Sequence, residues 1–452
     1  MIQFLIAAPN SGAGKTMVVC ALLRALQRRG FSPCAFKCGP DYIDPMFHRS
    51  AVGADSLNLD LFLSDENTVR EIYAQGCAGH NASICEGVMG LYDGVGGITT
   101  QASAWHVADT LDLPVLLVVR PNGASLTLAA QINSLKNHRA QSHITGILLN
   151  RCSPVLCKNL SGMLERETGL PVLGCLPDLP EANVNSRHLG LYTAGEISDI
   201  SARMDALADV LEQNVNIDRI IRITDRPAPK SSTVQKIRSS NVKIAVALDE
   251  AFCFIYPETL ISLKNCGAEI IPFSPVHDSR LPDGIGGLYL PGGYPELYAG
   301  QLTDNRSMIS SVYSAVKSGI PTVAECGGFL YLCKSLQDDN GISHDMVGLL
   351  PSVGIKTDRL TRFGYAHMSA NTDSLLFKNG ESIPVHEFHY WDSDDNGSGF
   401  SLRKPVSGRS WKSGFATDTL YAAFPHLYFA GSPQLAQRFV NAAEQYIKGI
   451  KE

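Results

Sequence analysis

The chain has 452 residues, of which 44% are apolar and 18% charged, and its formal net charge is −6. This length exceeds what one ordinary hydrophobic core accommodates and predicts two domains of roughly 200 residues each. The apolar fraction is typical of a globular protein. Because the charge balance is acidic and no basic block interrupts it, nucleic acid is not expected as a partner.

The cysteines and the apolar runs indicate the compartment. Twelve cysteines are present without a C-x-x-C pair, a pattern typical of reduced thiols and not of a disulfide or zinc framework. The N-terminus lacks a basic region before its apolar run, which predicts no signal peptide. Since no apolar stretch approaches the ~20 residues of a membrane-spanning helix, we expect a cytoplasmic protein without a membrane partner.

A Gly-rich turn near the N-terminus predicts a phosphate-binding loop. It reads APNSGAGKT over residues 8–16, follows an apolar strand predicted over Ile2–Ala7 and precedes a helix-like run. Backbone N–H groups of such a turn cradle phosphates, Lys15 reaches the β- and γ-phosphates, and the Thr16 hydroxyl holds Mg²⁺. Pro9 stands where the consensus has its first glycine, and a chance Gly-rich turn is the alternative. The predicted triphosphate ligands are Ser11, Gly12, Ala13, Gly14, Lys15 and Thr16.

Short apolar strands alternate with helix-like segments through the rest of the first half. The predicted strands span residues 33–37, 82–85, 115–119, 144–149 and 172–176. Strands without polar alternation, separated by crossover-length segments, predict a parallel sheet covered on both faces. Residues 222–241 are polar and lack apolar periodicity, so they are predicted as a linker between domains over residues 1–221 and 242–452.

The second half shows the same alternation with different motifs. Strands are predicted over residues 243–248, 269–272, 287–290 and 321–324. Residues 337–344 and 371–409 are predicted to be rich in loops. The whole chain is therefore predicted to be an α/β protein with two doubly wound domains joined by one linker.

A strand–turn–helix arrangement around Cys326 predicts a nucleophile. The sequence ECGG over residues 325–328 follows a predicted strand, so the turn presents the sulfur above the sheet and leaves N–H groups free at a helix start. Gly293, after another strand, and Gly327 are the candidate oxyanion-hole donors, and His426 is the candidate base. These parts suffice for Cys–His acyl transfer. For C-G-G by itself, a buried core cysteine is the alternative.

Longer motifs resemble one enzyme family over nearly the whole chain. In the second half, PGGYPE, AECGGFLYL and the late histidine resemble the class I glutamine amidotransferase domain of cobyrinic and cobyric acid synthases. In the first half, SGAGKT, KCGPDYIDPMFH, CEGVMGLYDG, GILLNR and SRHLGL resemble the dethiobiotin-synthetase-like domain of cobyrinic acid a,c-diamide synthases. The resemblance implies a P-loop (dethiobiotin-synthetase-like) domain followed by a flavodoxin-like amidotransferase domain.

The resemblance implies a carbon–nitrogen ligase of cobalamin biosynthesis. Such enzymes use ATP and Mg²⁺ to phosphorylate a corrinoid carboxylate, and ammonia released from L-glutamine then attacks the acyl phosphate. The implied substrate is cobyrinic acid, amidated at its a and c carboxylates. Hydrogenobyrinic acid or a nickel sirohydrochlorin stays open as substrate, and a homodimer stays open as well. The alternative from another class is a partition-type ATPase, but such proteins carry a lysine where this chain has Asn10.

Two acidic residues are the implied magnesium ligands beside Thr16. Asp41 and Glu86 follow predicted strands, so both are expected at the edge of the sheet where the phosphates bind. By the resemblance both also belong to the catalytic residues of the first domain. A helix or turn cap is the alternative for Asp41.

Three further residues match positions of the family in the first domain. Tyr42 and Asp93 are implied near the acceptor carboxylate, and Asp93 is equally suited to form the turn in which it lies. Asn150, at the end of a predicted strand, resembles the adenine-reading asparagine of dethiobiotin synthetases. An ordinary turn at the strand end is the alternative for Asn150.

In the second domain the resemblance makes Cys326 the thioester nucleophile and His426 its base. Many related glutaminases carry H-x-E, in which the acid orients the imidazole, but here the corresponding residue is Tyr428. The third member of the triad is therefore absent or comes from elsewhere. His386 and His389 are interpreted as structural or substrate-lining residues in preference to a zinc site.

Overall fold

Parallel β-sheets form the centre of the structure, which is a computed structural model. It describes residues 1–179, 186–187, 190–191, 199–231 and 241–451. The chain divides into two units, Met1–Thr233 and Val234–Glu452. Both units combine a mainly parallel sheet with helices, so the predicted α/β class is confirmed.

The first unit is built on a seven-stranded sheet. Its strands are β1 (Ile2–Ala7), β2 (Pro33–Cys38), β3 (Ser56–Leu59), β4 (Ala82–Glu86), β5 (Val115–Val119), β6 (Ile144–Asn150) and β7 (Val172–Leu176). They lie in the order β3-β2-β4-β1-β5-β6-β7, and every adjacent pair is parallel. Strands β1, β2, β4 and β5 are buried along their whole length, which explains why their residues are mainly apolar.

Strand β3 is the one strand of this sheet that the sequence did not predict. Its sequence, SLNL, has four residues, and the polar Ser56 and Asn58 are buried in it. The side chain of Asn58 donates hydrogen bonds to the carbonyl oxygens of Gly39 (2.9 Å) and Asp41 (2.7 Å). A strand that contains buried, hydrogen-bonded polar residues lacks a continuous apolar run, so β3 could not be recognised by that pattern.

Eight helices accompany this sheet in the described part of the first unit. They are α1 (Lys15–Arg28), α2 (Ile43–Val52), α3 (Glu66–Gly76), α4 (Ala104–Leu111), α5 (Leu126–Asn137), α6 (Pro154–Thr168), α7 (Ile200–Asn214) and α8 (Ile217–Thr224). A two-stranded hairpin of β8 (Ser186–Arg187) and β9 (Gly190–Leu191) lies in the SRHLGL motif. The side chains of that motif lie outside the described residues.

The predicted linker begins too early. Helix α8 continues to Thr224, and Asp225 forms a β-bridge with Ile2, while the N-terminal ammonium group donates to Asp225 Oδ1 at 2.9 Å. The sequence of α8, IDRIIRIT, alternates isoleucines with charged residues, and Ile217 and Ile220 are buried. The charged residues between the isoleucines made this amphipathic helix look like a polar linker in the sequence. Residues 232–240 of the predicted linker lie outside the described residues.

The second unit contains a six-stranded sheet. Its strands are β10 (Val242–Ala247), β11 (Ala268–Phe273), β12 (Gly287–Leu290), β13 (Thr322–Glu325), β22 (Phe415–Ala416) and β23 (Leu420–Ala423). They lie in the order β11-β10-β12-β13-β23-β22. The first five are parallel, and only β22 is antiparallel to its neighbour. In chain order these five read 2-1-3-4-5, which is the flavodoxin-like arrangement that the resemblance implied.

The two segments predicted to be rich in loops are mostly outside helices and strands, but they also contribute short strands that the sequence did not predict. One four-stranded sheet joins β14 (Ser335–Gln337), β15 (Ser343–Asp345), β16 (Val353–Lys356) and β19 (Trp391–Ser393), and another joins β17 (Gly364–Ala370), β18 (Ser382–Glu387), β20 (Phe400–Arg403) and β21 (Ser410–Ser413). Met368, Val385 and Leu402 pack with Tyr289 and Val323 of the parallel sheet in one apolar cluster. Gly, Ser, Asp and Asn residues are frequent in the turns between these short strands, and they made the strands hard to recognise from the sequence.

Five helices complete the described part of the second unit. They are α9 (Pro257–Asn265), α10 (Ala299–Asp304), α11 (Arg306–Lys317), α12 (Gly327–Leu332) and α13 (Pro433–Lys451). Helix α12 starts directly after Cys326, as the predicted strand–turn–helix arrangement requires. Within the described ranges, no helix is both long enough and apolar enough to cross a bilayer.

Replacing Gly174 by alanine is expected to destabilise the first unit. Gly174 has φ +132°, and a Cβ there would overlap the Asn214 carbonyl oxygen and lie 2.7 Å from Val215 Cα. The expected loss is about 2 kcal/mol or more, measured by thermal unfolding. Gly162→Ala is the control, because a Cβ at this position in α6 meets no atom within 4 Å and alanine favours a helix by up to about 1 kcal/mol. Equal stability of the two variants would contradict this account.

Candidate active sites

The Gly-rich turn of the first unit connects β1 to α1 at the carboxyl edge of the sheet. Gly14 is the N-cap of α1 and has φ +88°, a left-handed conformation that favours glycine. The Lys15 ammonium folds back and donates to the Met89 carbonyl oxygen at 2.6 Å. Burial, with the nearby charge of Lys37, lowers the pKa of Lys15 to about 8. The turn therefore holds a buried cation at the start of a helix, as a phosphate-binding loop requires.

Asn150 braces this turn from the end of β6. Its amide nitrogen donates to the Ala13 carbonyl oxygen at 2.7 Å, and a Cβ on Gly14 would overlap the same nitrogen. The side chain is buried. The structure therefore places Asn150 against the loop backbone, and the predicted contact with adenine stays a prediction.

Two carboxylates converge on the Thr16 hydroxyl beside the turn. Thr16 Oγ1 lies 2.7 Å from Glu86 Oε1 and 3.2 Å from Asp44 Oδ1. The Lys37 ammonium lies between the same two acids: it donates to Glu86 Oε1 at 2.9 Å and also to Asp44 Oδ2. Sequence reasoning found Thr16 and Glu86 and missed Asp44 and Lys37. Both missed residues lie within the quoted motif KCGPDYIDPMFH, and Lys37 was recognisable as a charged residue inside an otherwise apolar strand.

His48 fixes the orientation of Glu86. Its Nε2 lies 2.8 Å from Glu86 Oε2, and its Nδ1 lies 2.9 Å from Ser56 Oγ on β3. Both His48 and Glu86 are fully buried. A buried carboxylate with partners at both oxygens has little freedom to turn, so Glu86 is held in one position.

The charges of this cluster are strongly coupled. Burial opposes the charge on Lys37, but the carboxylates of Asp44 and Glu86 raise its pKa above the ordinary value. Burial also opposes the charge on Glu86, yet Lys37 and His48 hold the pKa of this carboxyl below its usual range. Burial and the adjacent Glu86 raise the pKa of Asp44. Two carboxylates and the Lys37 ammonium therefore share one poorly solvated place, where burial and repulsion between the acids oppose the ionisation of Asp44.

Asp41 and Asp93 have local structural roles. Asp41 Oδ1 accepts from the backbone N–H of Ile43 at 2.8 Å, so it caps the start of α2, and Asp44 contacts Thr16 where Asp41 was predicted to do so. Asp93 Oδ2 accepts from the Gly90 N–H at 2.9 Å, which is the turn-forming alternative. Tyr42 is the N-cap residue of α2. The implied contacts of Tyr42 and Asp93 with an acceptor stay predictions, and so does the implied role of Asp41 as a magnesium ligand.

Cys326 occupies the predicted elbow of the second unit. Its φ of +47° is strained for a residue with a side chain, and it separates β13 from α12. The side chain is buried. Burial raises the pKa of the Cys326 thiol, and the carboxylates of Glu296 and Glu387 raise it further. The resting thiol is therefore protonated, and a base is needed to generate the nucleophile.

The structure brings the other predicted parts of this site together around the elbow. Cys326 N–H donates to the Ala423 carbonyl oxygen at 2.8 Å, which places the end of β23, and His426 after it, beside the elbow. A Cβ on Gly292 would lie 2.5 Å from His426 Cε1, and one on Gly327 would lie 3.0 Å from the Gly293 nitrogen. Glycine at 292 and 327 therefore permits the close approach of these segments.

The carboxylate beside His426 belongs to Glu325, the residue before the nucleophile. Glu325 Oε2 lies 3.4 Å from His426 Nδ1. The residue at the H-x-E position, Tyr428, packs its ring edge-on against Tyr256 at 5.1 Å between centroids. Sequence reasoning missed Glu325 because it considered only acids after the histidine.

The structure gives the contacts of His389 and His386, and their interpretation as structural or substrate-lining residues stays a prediction. His389 Nδ1 lies 2.6 Å from the Trp391 carbonyl oxygen, its Nε2 lies 3.1 Å from Glu387 Oε2, and its ring stacks on Phe424. The backbone carbonyl of His386 accepts from the N–H of His426 at 2.9 Å. In the part of the chain that the structure describes, no group of three or more His, Cys, Asp or Glu residues is arranged to hold a metal ion.

Both halves of the chain match known domain families. Residues 4–190 match the CobQ/CobB/MinD/ParA nucleotide binding domain, and residues 243–434 match the CobB/CobQ-like glutamine amidotransferase domain. Cobyrinate a,c-diamide synthases are similar over nearly the full length: 34% identity to that of Caldanaerobacter subterraneus, covering 98% of both chains, and 35% to that of Listeria innocua, covering 98% of this chain and 100% of the relative. The relative from Picrophilus torridus is 36% identical, and the similarity covers 97% of this chain and 98% of the relative.

Affinity for a nucleoside triphosphate is expected to fall as the pH rises through the pKa of Lys15. Because that pKa is about 8, about nine-tenths of the side chain is charged at pH 7 and about one-tenth at pH 9. Phosphate oxygens bind the charged form, so the dissociation constant is expected to rise about tenfold between these values. Isothermal titration calorimetry measures the change.

Lys15→Arg is the control for this pH dependence. The guanidinium group stays charged over the whole range, so its affinity, whatever its absolute value, is expected to vary little between pH 7 and pH 9. An equal loss of affinity in both proteins would assign the effect to another group.

Proposed function

Since this chain belongs to the cobyrinate a,c-diamide synthase family, we propose that it amidates the a and c carboxylates of cobyrinic acid with ATP and glutamine. Membership rests on similarity at 34–36% identity over nearly the whole chain, and it confirms the family predicted from the motifs. The family is one of glutamine-dependent amidating ligases, and both matched domains agree with that class. The substrate and the chemical steps are the proposal.

The observation that carries the proposal is the group formed by the buried Lys37 and Glu86 and the half-buried Asp44 and Thr16 beside a phosphate-binding turn. A carboxylate is a poor electrophile because it has no good leaving group, and phosphorylation supplies one. Transfer of a phosphoryl group depends mainly on positioning and on neutralising charge. Lys15 and Lys37 supply two cations at the carboxyl edge of the sheet, where the γ-phosphate and the acceptor would meet.

The same group suits Mg²⁺. Thr16, Asp44 and Glu86 would hold the ion, because Mg²⁺ prefers hard oxygen ligands and keeps several waters in addition. The approach of two carboxylate oxygens to one hydroxyl, Glu86 Oε1 at 2.7 Å and Asp44 Oδ1 at 3.2 Å from Thr16 Oγ1, supports this choice. When bound, Mg²⁺ neutralises phosphate charge. Lys37 contacts the same two acids, so it holds them in place before the ion and nucleotide bind.

The second unit would supply ammonia from glutamine. Cys326 transfers its proton to His426 and attacks the side-chain amide carbon, which forms a C–S bond. The N–H groups of Gly293 and Gly327 would stabilise the oxyanion, and the histidine returns the proton to the departing nitrogen. Water then hydrolyses the thioester to glutamate and restores the thiol. Local release matters because free ammonia is mostly protonated near neutral pH and is then not nucleophilic.

Cys326→Ala tests the division of labour. It is expected to abolish amidation that depends on glutamine, because no thioester forms, and to leave amidation with added ammonium salts within about twofold of the unsubstituted enzyme. Mass spectrometry counts the amides formed on cobyrinic acid, and the same assay with hydrogenobyrinic acid and nickel sirohydrochlorin tests the substrate. Cys266→Ala, at a cysteine that caps the end of α9 outside the elbow, is the control. Loss of both reactions in Cys326→Ala would contradict the proposal, and a non-catalytic second domain would release no ammonia in any variant.

Asp44→Asn tests the metal and phosphate site. Removing this carboxylate is expected to lower ammonia-dependent amidation by about a hundredfold or more and to raise the Mg²⁺ concentration needed for half-maximal rate. Glutamine hydrolysis is expected to continue. Asp65→Asn is the control, because Asp65 is exposed and caps α3, and asparagine also caps helices. An unchanged Mg²⁺ requirement in Asp44→Asn would remove Asp44 from the metal site.

A further inference from the structure

Glu325 is a buried acid with contacts at both oxygens of its carboxylate. It ends β13, directly before Cys326, and is 1% exposed. Glu325 Oε1 accepts from the Tyr289 hydroxyl at 2.7 Å and from the Leu427 N–H at 3.2 Å. Its second oxygen, Oε2, lies 3.4 Å from His426 Nδ1. A buried carboxylate costs stability unless it is paired, so this arrangement needs an explanation.

We infer that Glu325 is the positioning residue that orients the His426 imidazole and balances its charge during glutamine hydrolysis. The inference rests on the proposed function, because it assigns a role within the glutaminase reaction. It supplies the third member of the triad that the H-x-E position does not provide in this chain. Here the acid precedes the nucleophile in sequence, whereas in H-x-E it follows the base.

The sheet explains why an acid at this position reaches the histidine. Strands β12, β13 and β23 are adjacent and parallel, with Tyr289 paired to Val323 and Glu325 paired to Ala423. Side chains two residues apart on a strand share a face, so Glu325 lies diagonally beside Tyr289. The chain then turns after β23, and Leu427 returns its N–H to the same carboxylate. Because side chains alternate between the faces of a strand, the Glu325 side chain lies on one face of the sheet. The turn that follows places Cys326 at the edge of the sheet.

The position of Glu325 assigns a different role to each of the two imidazole nitrogens of His426. Nδ1 is the imidazole nitrogen within ion-pair range of Glu325, at 3.4 Å from Oε2, so Nε2 is the nitrogen left to accept the thiol proton of Cys326. The imidazolium that forms is then next to a negative charge. As the C–N bond of the substrate breaks, Nε2 returns this proton to the departing ammonia, so protons balance over the step.

Other charged or titratable groups also face this site. Glu296 and Glu387 act on the Cys326 thiol, and His386 on β18 is close enough for its charge to interact with that of His426. Glu325 differs from these two glutamates because its Oε2 atom lies 3.4 Å from Nδ1 of the base, His426. Tyr289 stays a donor, since burial and the Glu325 carboxylate raise the pKa of its hydroxyl.

Glu325→Gln is the direct test, with glutamine hydrolysis, ammonia-dependent amidation and the pH–rate profile measured on the full chain. The variant keeps the size of the side chain and removes its charge. We expect kcat for glutamine hydrolysis to fall about a hundredfold or more, with a smaller change in KM. We also expect the acidic limb of the profile to move to lower pH, because the imidazolium loses its counter-charge. Ammonia-dependent amidation should be unchanged.

Two further variants separate positioning from folding. Tyr289→Phe removes one hydrogen bond to Glu325 while retaining the ring, and it is expected to lower glutamine hydrolysis by about three- to tenfold without moving the acidic limb. Glu269→Gln, an exposed acid on β11, is the control and should match the unsubstituted enzyme. If Glu325→Gln does not fold, a Tyr289→Phe protein with unchanged hydrolysis rate overturns the inference.

The outcomes distinguish this inference from the function on which it rests. Normal glutamine hydrolysis by Glu325→Gln, or a reduced rate with an unmoved pH profile, would show that the acid has only a structural role. An unsubstituted enzyme that releases no ammonia from glutamine would contradict the proposed function itself, and the inference would fall with it.

Discussion

Parallel pairing of strands is the constraint on which both sites depend. It brings the carboxyl ends of non-consecutive strands to one edge of a sheet, and side chains that are far apart in sequence meet there. In the first unit the turn after β1, Lys37 of β2 and Glu86 of β4 come together in this way. In the second unit the same constraint joins the end of β13, which carries Glu325 and Cys326, to His426 beyond β23. Neither group of residues would exist without the register of these sheets.

Burial then sets the chemistry at each edge. In the first unit the buried carboxylate of Glu86 and the half-buried one of Asp44 share one buried lysine, and His48 contacts the second oxygen of Glu86. Buried charges are tolerated where each has a partner, and partners that are already in place need not reorganise during a reaction. A site of this kind is prepared to receive a cation and phosphate groups. The carboxylate oxygens of Asp44 and Glu86, which both approach the Thr16 hydroxyl, are the physical basis for the proposed magnesium site.

In the second unit burial acts on a nucleophile. It raises the pKa of the Cys326 thiol, and two neighbouring glutamates add to this effect, so the thiolate must be generated during the reaction by proton transfer. A base in such surroundings becomes positively charged in a poorly solvated place, and an adjacent anion stabilises that charge. Glu325 is suited to this task because Tyr289 and Leu427 hold its other oxygen. The two units thus use buried carboxylates for different purposes.

The amino-acid sequence by itself determined the α/β class, the phosphate-binding turn at Lys15 and the elbow at Cys326, because these depend on local patterns of apolar runs and glycines. The flavodoxin-like order of the second unit was implied by the family resemblance. Only the tertiary structure decided which acids belong to each site. It placed Asp44 against Thr16 while Asp41 caps a helix, and it brought Glu325 to His426. The physical reason is that a carboxylate has the same local signature as a cap, a turn or a ligand, and its role is set by partners that strand pairing brings from elsewhere in the chain.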